Sequence, residues 1–177
     1  VVLDSETRAC SASQARARIL ALGRYLEDKR LYKKVDSTMR GNIGYELRAL
    51  YESLALEGFV FAPAFPQEGR TTLWGDQRVD GLPLDQTAFA RDPRWPMHEA
   101  HIPTLLMRQS GLRVAQIGLD LLAQGADRLA ERLRSSDHQI MVVDATDREH
   151  IRVVAKAIET LGAGWVPCGS AGLAEAW

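Results

Sequence analysis

Short apolar runs alternate with amphipathic helical stripes along most of this chain, and that alternation restricts the fold more than any single motif does. Val1–Asp4, Leu31–Val35, Gly58–Ala62, Leu112–Ile117, Gln139–Val143 and Trp165–Cys168 read as strands buried on both faces. Between them, Ala15, Ile19, Leu22 and Leu26 recur at helical spacing, as do Ile43, Leu47, Leu50 and Leu54. Leu122, Ala126, Leu129 and Leu133 form a third stripe, and Ile151, Val154, Ile158 and Leu161 a fourth. Strands that alternate with helices build βαβ units with right-handed crossovers. The expectation is an α/β fold: a mainly parallel sheet flanked by helices. The first helix is expected from Ser13 to about Asp28, capped by Ser11 or Ser13, and the second from Asn42 to about Ala55. Asn42 suits its N-cap and Glu46 the positive end of its dipole, and ligand contact is an equal reading for both.

The alternation stops between Pro63 and Pro103, a stretch that holds six of the seven prolines. A loop of that length inside a compact domain carries either function or small elements of its own. Asp80-Gly81 between short apolar runs signals a hairpin. The region is therefore read as a small β/loop excursion on the parallel frame, with a helix through Thr104–Arg108 after it.

The stretch KKVDSTMRGNIGYEL, Lys33–Leu47, is where chemistry collects. It reads as the end of a strand, a polar loop and a helix start. Open α/β sheets bind ligands at the carboxyl ends of their strands, and a helix start offers free N–H groups. Lys34, Asp36, Ser37, Thr38, Arg40, Gly41 and Asn42 meet there. Lys33 and Lys34 are neighbours and point to opposite faces, and Lys34 is the one expected at the site. Arg8 follows the first apolar run, Arg70 follows PAFPQEG, and His101 precedes a helix. Arginine pairs well with a carboxylate in bidentate geometry, and Arg40 and Arg70 suit that task. The strand–Gly169-Ser170–helix turn can hold phosphate on backbone amides.

Charge and cysteine usage narrow the partners. Lysine plus arginine number 22 against 23 aspartates plus glutamates, so no global field draws the chain to nucleic acid or to a membrane surface. Two distant cysteines, Cys10 and Cys168, make neither a disulfide framework nor a zinc spacing, and a cytoplasmic setting is expected. P-loop, GxGxxG, HExxH, CxxC and GxSxG patterns are absent from the sequence. The chain starts VVLD and ends GSAGLAEAW, and both ends read as cut from a longer protein.

Taken in order, KKVDSTMRGNIGYEL, PAFPQEGRTT, VDGLPL, FARDP, HIP and GSAGLA resemble the four-carbon acid sugar kinase family over nearly the whole chain. The resemblance implies that residues 1–168 are an acid-sugar binding domain and that 169–177 begin a nucleotide-binding domain. It implies ATP-dependent phosphorylation, with Mg2+, of a hydroxyl of erythronate, threonate or a 3-oxo-tetronate. The family's N-terminal Asp-Asp-x-Thr-Gly-Ala segment would precede Val1, and most of its nucleotide domain would follow Trp177. The fragment is therefore expected to be inactive alone. Ser170 matches the family's ATP-contacting serine, and no metal ligand is assigned. For a four-carbon acid, Arg8, Lys34, Arg40, Arg70 and His101 are expected substrate contacts. Ser37, Thr38, Gly41 and Asn42 join them. Asp36 is the expected base, unless a carboxylate of the preceding segment serves. A non-enzymatic acid-sugar binding module is the alternative, and an isomerase or aldolase on a similar frame comes last. Homo-oligomerisation is left open.

Overall fold

In the computed structural model, residues 2–27 and 29–177 are described. The backbone runs α1 (Ala12–Leu26), β1 (Lys33–Lys34), α2 (Ile43–Ser53), β2 (Gly58–Ala62), β3 (Arg70–Leu73), β4 (Asp76–Val79) and β5 (Leu82–Pro83). It continues with α3 (Ile102–Ser110), β6 (Val114–Ile117), α4 (Leu119–Leu122), α5 (Ala126–Arg134), β7 (Ile140–Val143), α6 (Arg148–Glu159), β8 (Trp165–Gly169) and α7 (Ala171–Ala176). Five strands form a sheet in the order β1-β8-β2-β7-β6, parallel at every pairing. The other three form an antiparallel sheet in the order β3-β4-β5. The α/β expectation and the β excursion both hold.

The central strand β2, GFVFA, is buried along its whole length, as a parallel strand covered on both faces must be. Its side chains alternate between two cores. Phe59 and Phe61 join Ile140 and Val142 of β7 beneath α2 and α3, with Ile19 of α1. Val60 and Ala62 join Met141 and Val143 beneath α5, α6 and α7. Parallel pairing places the carboxyl ends of all five strands along one edge, so their following loops converge there.

Several expectations need correction. Val1 lies outside the described residues, and Val2–Asp4 form no strand. Val2 and Leu3 are solvent-exposed there, without the ladder partner that an apolar run needs to become a strand. The first helix spans Ala12–Leu26; Asp28, its expected end, lies outside the described residues. Ser11 is its cap, in a reciprocal capping box with Gln14. The Leu122–Leu133 helix is broken into α4 and α5 by Gly125, whose φ of 93° does not belong to a right-handed helix. Asn42 does not cap α2 with its side chain, which is committed elsewhere.

The excursion docks on the sheet rather than hanging from it. Asp80 and Gly81 both take positive φ (50° and 83°), the two-residue turn expected from Asp-Gly. Thr72 and Ala145 exchange backbone hydrogen bonds of 2.8 and 2.9 Å, fixing β3 to the end of β7. Asp144, fully buried, accepts from the backbone N–H groups of Trp74 and Gly75 at 2.7 and 2.9 Å and from Gln116 Nε2 at 2.7 Å.

Gly44 sets how closely α2 approaches α3. A Cβ there would overlap the Gln109 side chain and lie 3.2 Å from the Leu106 carbonyl oxygen. The Gly44 N–H meanwhile donates to Gln109 Oε1 at 2.8 Å. Gly44→Ala should destabilise the protein by about 1–3 kcal/mol, the usual cost of overpacking, measured by urea unfolding. Unchanged stability would mean that α3 can retreat without loss.

Candidate functional site

A cleft of about 840 Å3 opens beside β1, between the sheet edge, α1 and α2. Arg8, Lys34, Asp36, Arg40, Gly41 and Asn42 line it, so six of the expected site residues share one wall. Ser37 and Thr38 lie in the same loop but do not line the cleft. Arg70 and His101 are elsewhere. The Arg70 guanidinium donates to the Glu68 carbonyl, and His101 Nδ1 meets Thr104 Oγ1 at 2.8 Å beside the hairpin tip at Gly75.

The loop after β1 is built around Asp36. Its Oδ2 accepts from Arg40 Nε at 2.7 Å and from Thr38 Oγ1 at 2.9 Å. Burial works to raise the Asp36 pKa, but these two hydrogen bonds, with the charges of Arg40 and Arg8, outweigh it and leave the carboxyl below its ordinary value. Oδ1 accepts no hydrogen bond among the described residues and is the loop's free acceptor. Arg40 is paired twice: its NH1 also lies 3.3 Å from Asp92 Oδ2, and its guanidinium sits over the Phe89 ring at 5.3 Å. The FARDP segment thus covers Arg40, which the sequence reading took as a clamp for a ligand carboxylate. From the other side the Ser37 carbonyl accepts from Gln77 Nε2 at 2.6 Å, so β4 braces the loop. Gly41 takes φ 106°, a conformation that favours glycine, and a Cβ on it would contact Arg8 Cγ at 3.5 Å.

Of the two lysines, Lys33 is the one turned into the domain. Its Nζ pairs with Glu46 Oε2 at 2.5 Å, and the other Glu46 oxygen accepts from Thr7 Oγ1 at 2.6 Å. Glu46 and Thr7 are both buried. Lys34 is exposed, with Nζ on the Val35 carbonyl at 2.9 Å. Asn42 spends both amide hydrogens, on the carbonyls of Thr7 and Cys10 at 2.9 Å each. Arg8 stands exposed at the cleft with no ion-pair partner among the described residues.

Sequence reasoning missed Thr7, Asp92, Gln77 and Asp144, passed over Lys33 for Lys34, and read Glu46 as a dipole partner or a ligand contact rather than as an ion-pair partner. For Glu46 a signal existed: a lysine in a buried strand needs a carboxylate. The other contacts span 28 to 70 residues and leave no local pattern.

Ser170 caps α7. Its Oγ accepts from Gly172 N–H and donates to the Ala64 carbonyl, and the residue is almost fully buried. No group of three or more His, Cys, Asp or Glu that could hold a metal ion exists among the described residues. No helix there is long and apolar enough to cross a membrane.

A parallel α/β domain with an unpaired guanidinium and a free carboxylate oxygen in one cleft, beside apolar side chains of α1 and α2, is chemically suited to a small hydroxylated anion. The family model described as the sugar-binding N-terminal domain matches residues 1–177, and the chain belongs to that family. It is 35% identical over 181 residues to D-threonate kinase of Salmonella typhimurium, aligning 99% of this chain with 43% of that protein. It is 32% identical over 188 residues to 3-oxo-tetronate kinase of Brucella melitensis, aligning 100% of the chain with 43% of that relative. The chain thus spans less than half the length of these curated relatives. A crystal structure from Bordetella bronchiseptica, a domain-swapped dimer with bound citrate, superposes with a TM-score of 0.83 at 36% identity. That match covers 95% of this chain and 41% of the other.

Asp36 gives a pH signature. A carboxyl whose folded pKa is depressed stabilises the fold above its unfolded value, about 3.9, and loses that contribution as pH falls through the folded value. Asp36→Asn should cost about 1.5–3 kcal/mol at pH 7, the range for hydrogen bonds to a charged group. The gap between the two proteins should shrink as pH drops below about 4. Denaturant unfolding across pH 2–7 measures it; a gap independent of pH would remove the ionised Asp36–Arg40 pair from the account.

Proposed function

We propose that this chain is the acid-sugar binding part of a kinase that phosphorylates a hydroxyl of a four-carbon sugar acid. The observation that carries the reading is the charge arrangement of the cleft: Arg8 has no ion-pair partner and Asp36 Oδ1 accepts no hydrogen bond among the described residues, while Lys33 is paired with Glu46, and Arg40 with Asp36 and Asp92. A carboxylate binds a guanidinium with two parallel hydrogen bonds, and a sugar hydroxyl donates to a carboxylate oxygen. The ordered sequence segments shared with four-carbon acid sugar kinases, and the kinase names of the relatives, support the same reading. The citrate held by the Bordetella protein is itself a hydroxylated carboxylate.

In this reading Arg8 and Lys34 receive the acid's carboxylate, and Asp36 Oδ1 orients the hydroxyl that attacks. Phosphoryl transfer depends mostly on positioning and on charge stabilisation, with little covalent work for the protein. A carboxylate held low by Arg40 is a weak base, so Asp36 acts mainly by aligning the hydroxyl. Ser37 and Thr38 shape the loop, and Asn42 holds the Arg8 turn. ATP, with Mg2+, would supply the phosphoryl group in the whole kinase. The described residues do not fit these groups: the Ser170 hydroxyl is spent internally, and no carboxylate cluster is available. In this reading both are held by the part of the kinase relatives' length that this chain does not span. A cytoplasmic setting fits an ATP-dependent reaction.

The test is calorimetric titration of the chain with D-threonate, D-erythronate and 3-oxo-tetronate, beside glycerol as a neutral control. One acid should bind, glycerol should not, and a full-length protein carrying this domain should release ADP with that acid. Binding without ADP release would favour the non-enzymatic module. No binding of any acid by folded protein would contradict the reading.

A further inference from the structure

We propose that Thr7, Glu46 and Lys33 form a positioning network that presents the Arg8 guanidinium to the ligand carboxylate; this rests on the reading of the cleft given above. The turn that carries Arg8 belongs to no strand or helix, and Arg18 of α1 donates to the Ser5 and Glu6 carbonyls just before it. Residues 2–4 form no strand, and Arg8 and Ala9 are exposed. What fixes the turn is a set of contacts from its inner side. Thr7 Oγ1 donates to Glu46 Oε1 at 2.6 Å, and the Thr7 carbonyl accepts from Asn42 Nδ2 at 2.9 Å and from Cys10 N–H at 3.1 Å. Gly41 backs Arg8 from beneath.

Charge matching makes the arrangement selective. A buried carboxylate at Glu46 without a partner would be costly and would also repel an anion in the cleft. Lys33 cancels it at 2.5 Å. Asp36 and Asp92 cancel Arg40. Arg30 lies over the Trp177 ring, and Lys34 is a point charge on a flexible stem. Arg8 is the guanidinium left to grip a carboxylate, and its geometry depends on Thr7. Glu46 and Lys33 are therefore positioning residues, not ligands: every charged atom they bring to the cleft is already paired.

Because Thr7 acts through Arg8, the two should be coupled, which a merely structural hydrogen bond would not produce. The experiment is a double-mutant cycle in the 177-residue chain, read by calorimetric titration with D-threonate, D-erythronate and 3-oxo-tetronate. Thr7→Val should weaken binding of the bound acid about tenfold, and Thr7→Ser, which keeps the hydroxyl, should stay within about twofold of the native chain. Arg8→Ala should weaken binding at least as much as Thr7→Val, and adding Thr7→Val to Arg8→Ala should change nothing further. Thr7→Ala replaces the valine variant should the latter fail to fold. Additive losses, an unaffected Thr7→Val protein, or a Thr7→Ser protein as weak as the valine variant would overturn the network while leaving the cleft as the binding site. An Arg8→Ala protein that binds as the native chain does would overturn both.

Discussion

Parallel pairing of β2 between β7 and β8 is the constraint on which the rest depends. It buries β2 on both faces, demands covering helices on each side and sends every strand's following loop to one edge. The loop after β1, the loop after β2 and the end of β7 meet there. That convergence lets an Asp144 carboxylate hold the tip of the β3–β4 hairpin, and lets Gln77 on that hairpin brace Ser37. The excursion between residues 63 and 103 is a buttress for the loop after β1, tied to the end of β7 and to Ser37.

At the edge two sets of charges are matched internally, whereas the Arg8 guanidinium at the cleft has no ion-pair partner among the described residues. Asp144 shows the cost of the alternative. It accepts three hydrogen bonds, yet burial, helped by nearby Asp76, still raises its pKa, because no cation faces it. Lys33 with Glu46, and Arg40 with Asp36 and Asp92, avoid that cost by pairing. Arg8 is left as the guanidinium with capacity for a ligand.

Periodicity alone made the fold class readable, because each buried strand and helix carries its own pattern. Leu47 and Leu50 announce α2 and its buried face wherever the chain goes. Val2 and Leu3 show the limit: an apolar run becomes a strand only beside a partner, and composition does not reveal one. In the site, the polar loop Asp36–Asn42 was visible because its residues are adjacent in sequence. The roles within it were not. Arg40 looked available until FARDP, some fifty residues on, was found covering it. Asn42 looked like a cap until its amide was found on the Thr7 turn. Lys34 was preferred over Lys33 on register, yet the inward lysine is Lys33, whose partner on the next helix decides its rotamer.

The most direct measurement is an amide-shift map of the isotope-labelled chain titrated with the acid that binds it. The account predicts saturable shifts centred on Thr7, Arg8 and the Lys34–Asn42 loop, with smaller changes at Gln77 behind that loop. Shifts centred instead on the second cleft, around Gln67, Arg148 and Arg152, with a silent Arg8 turn, would contradict it.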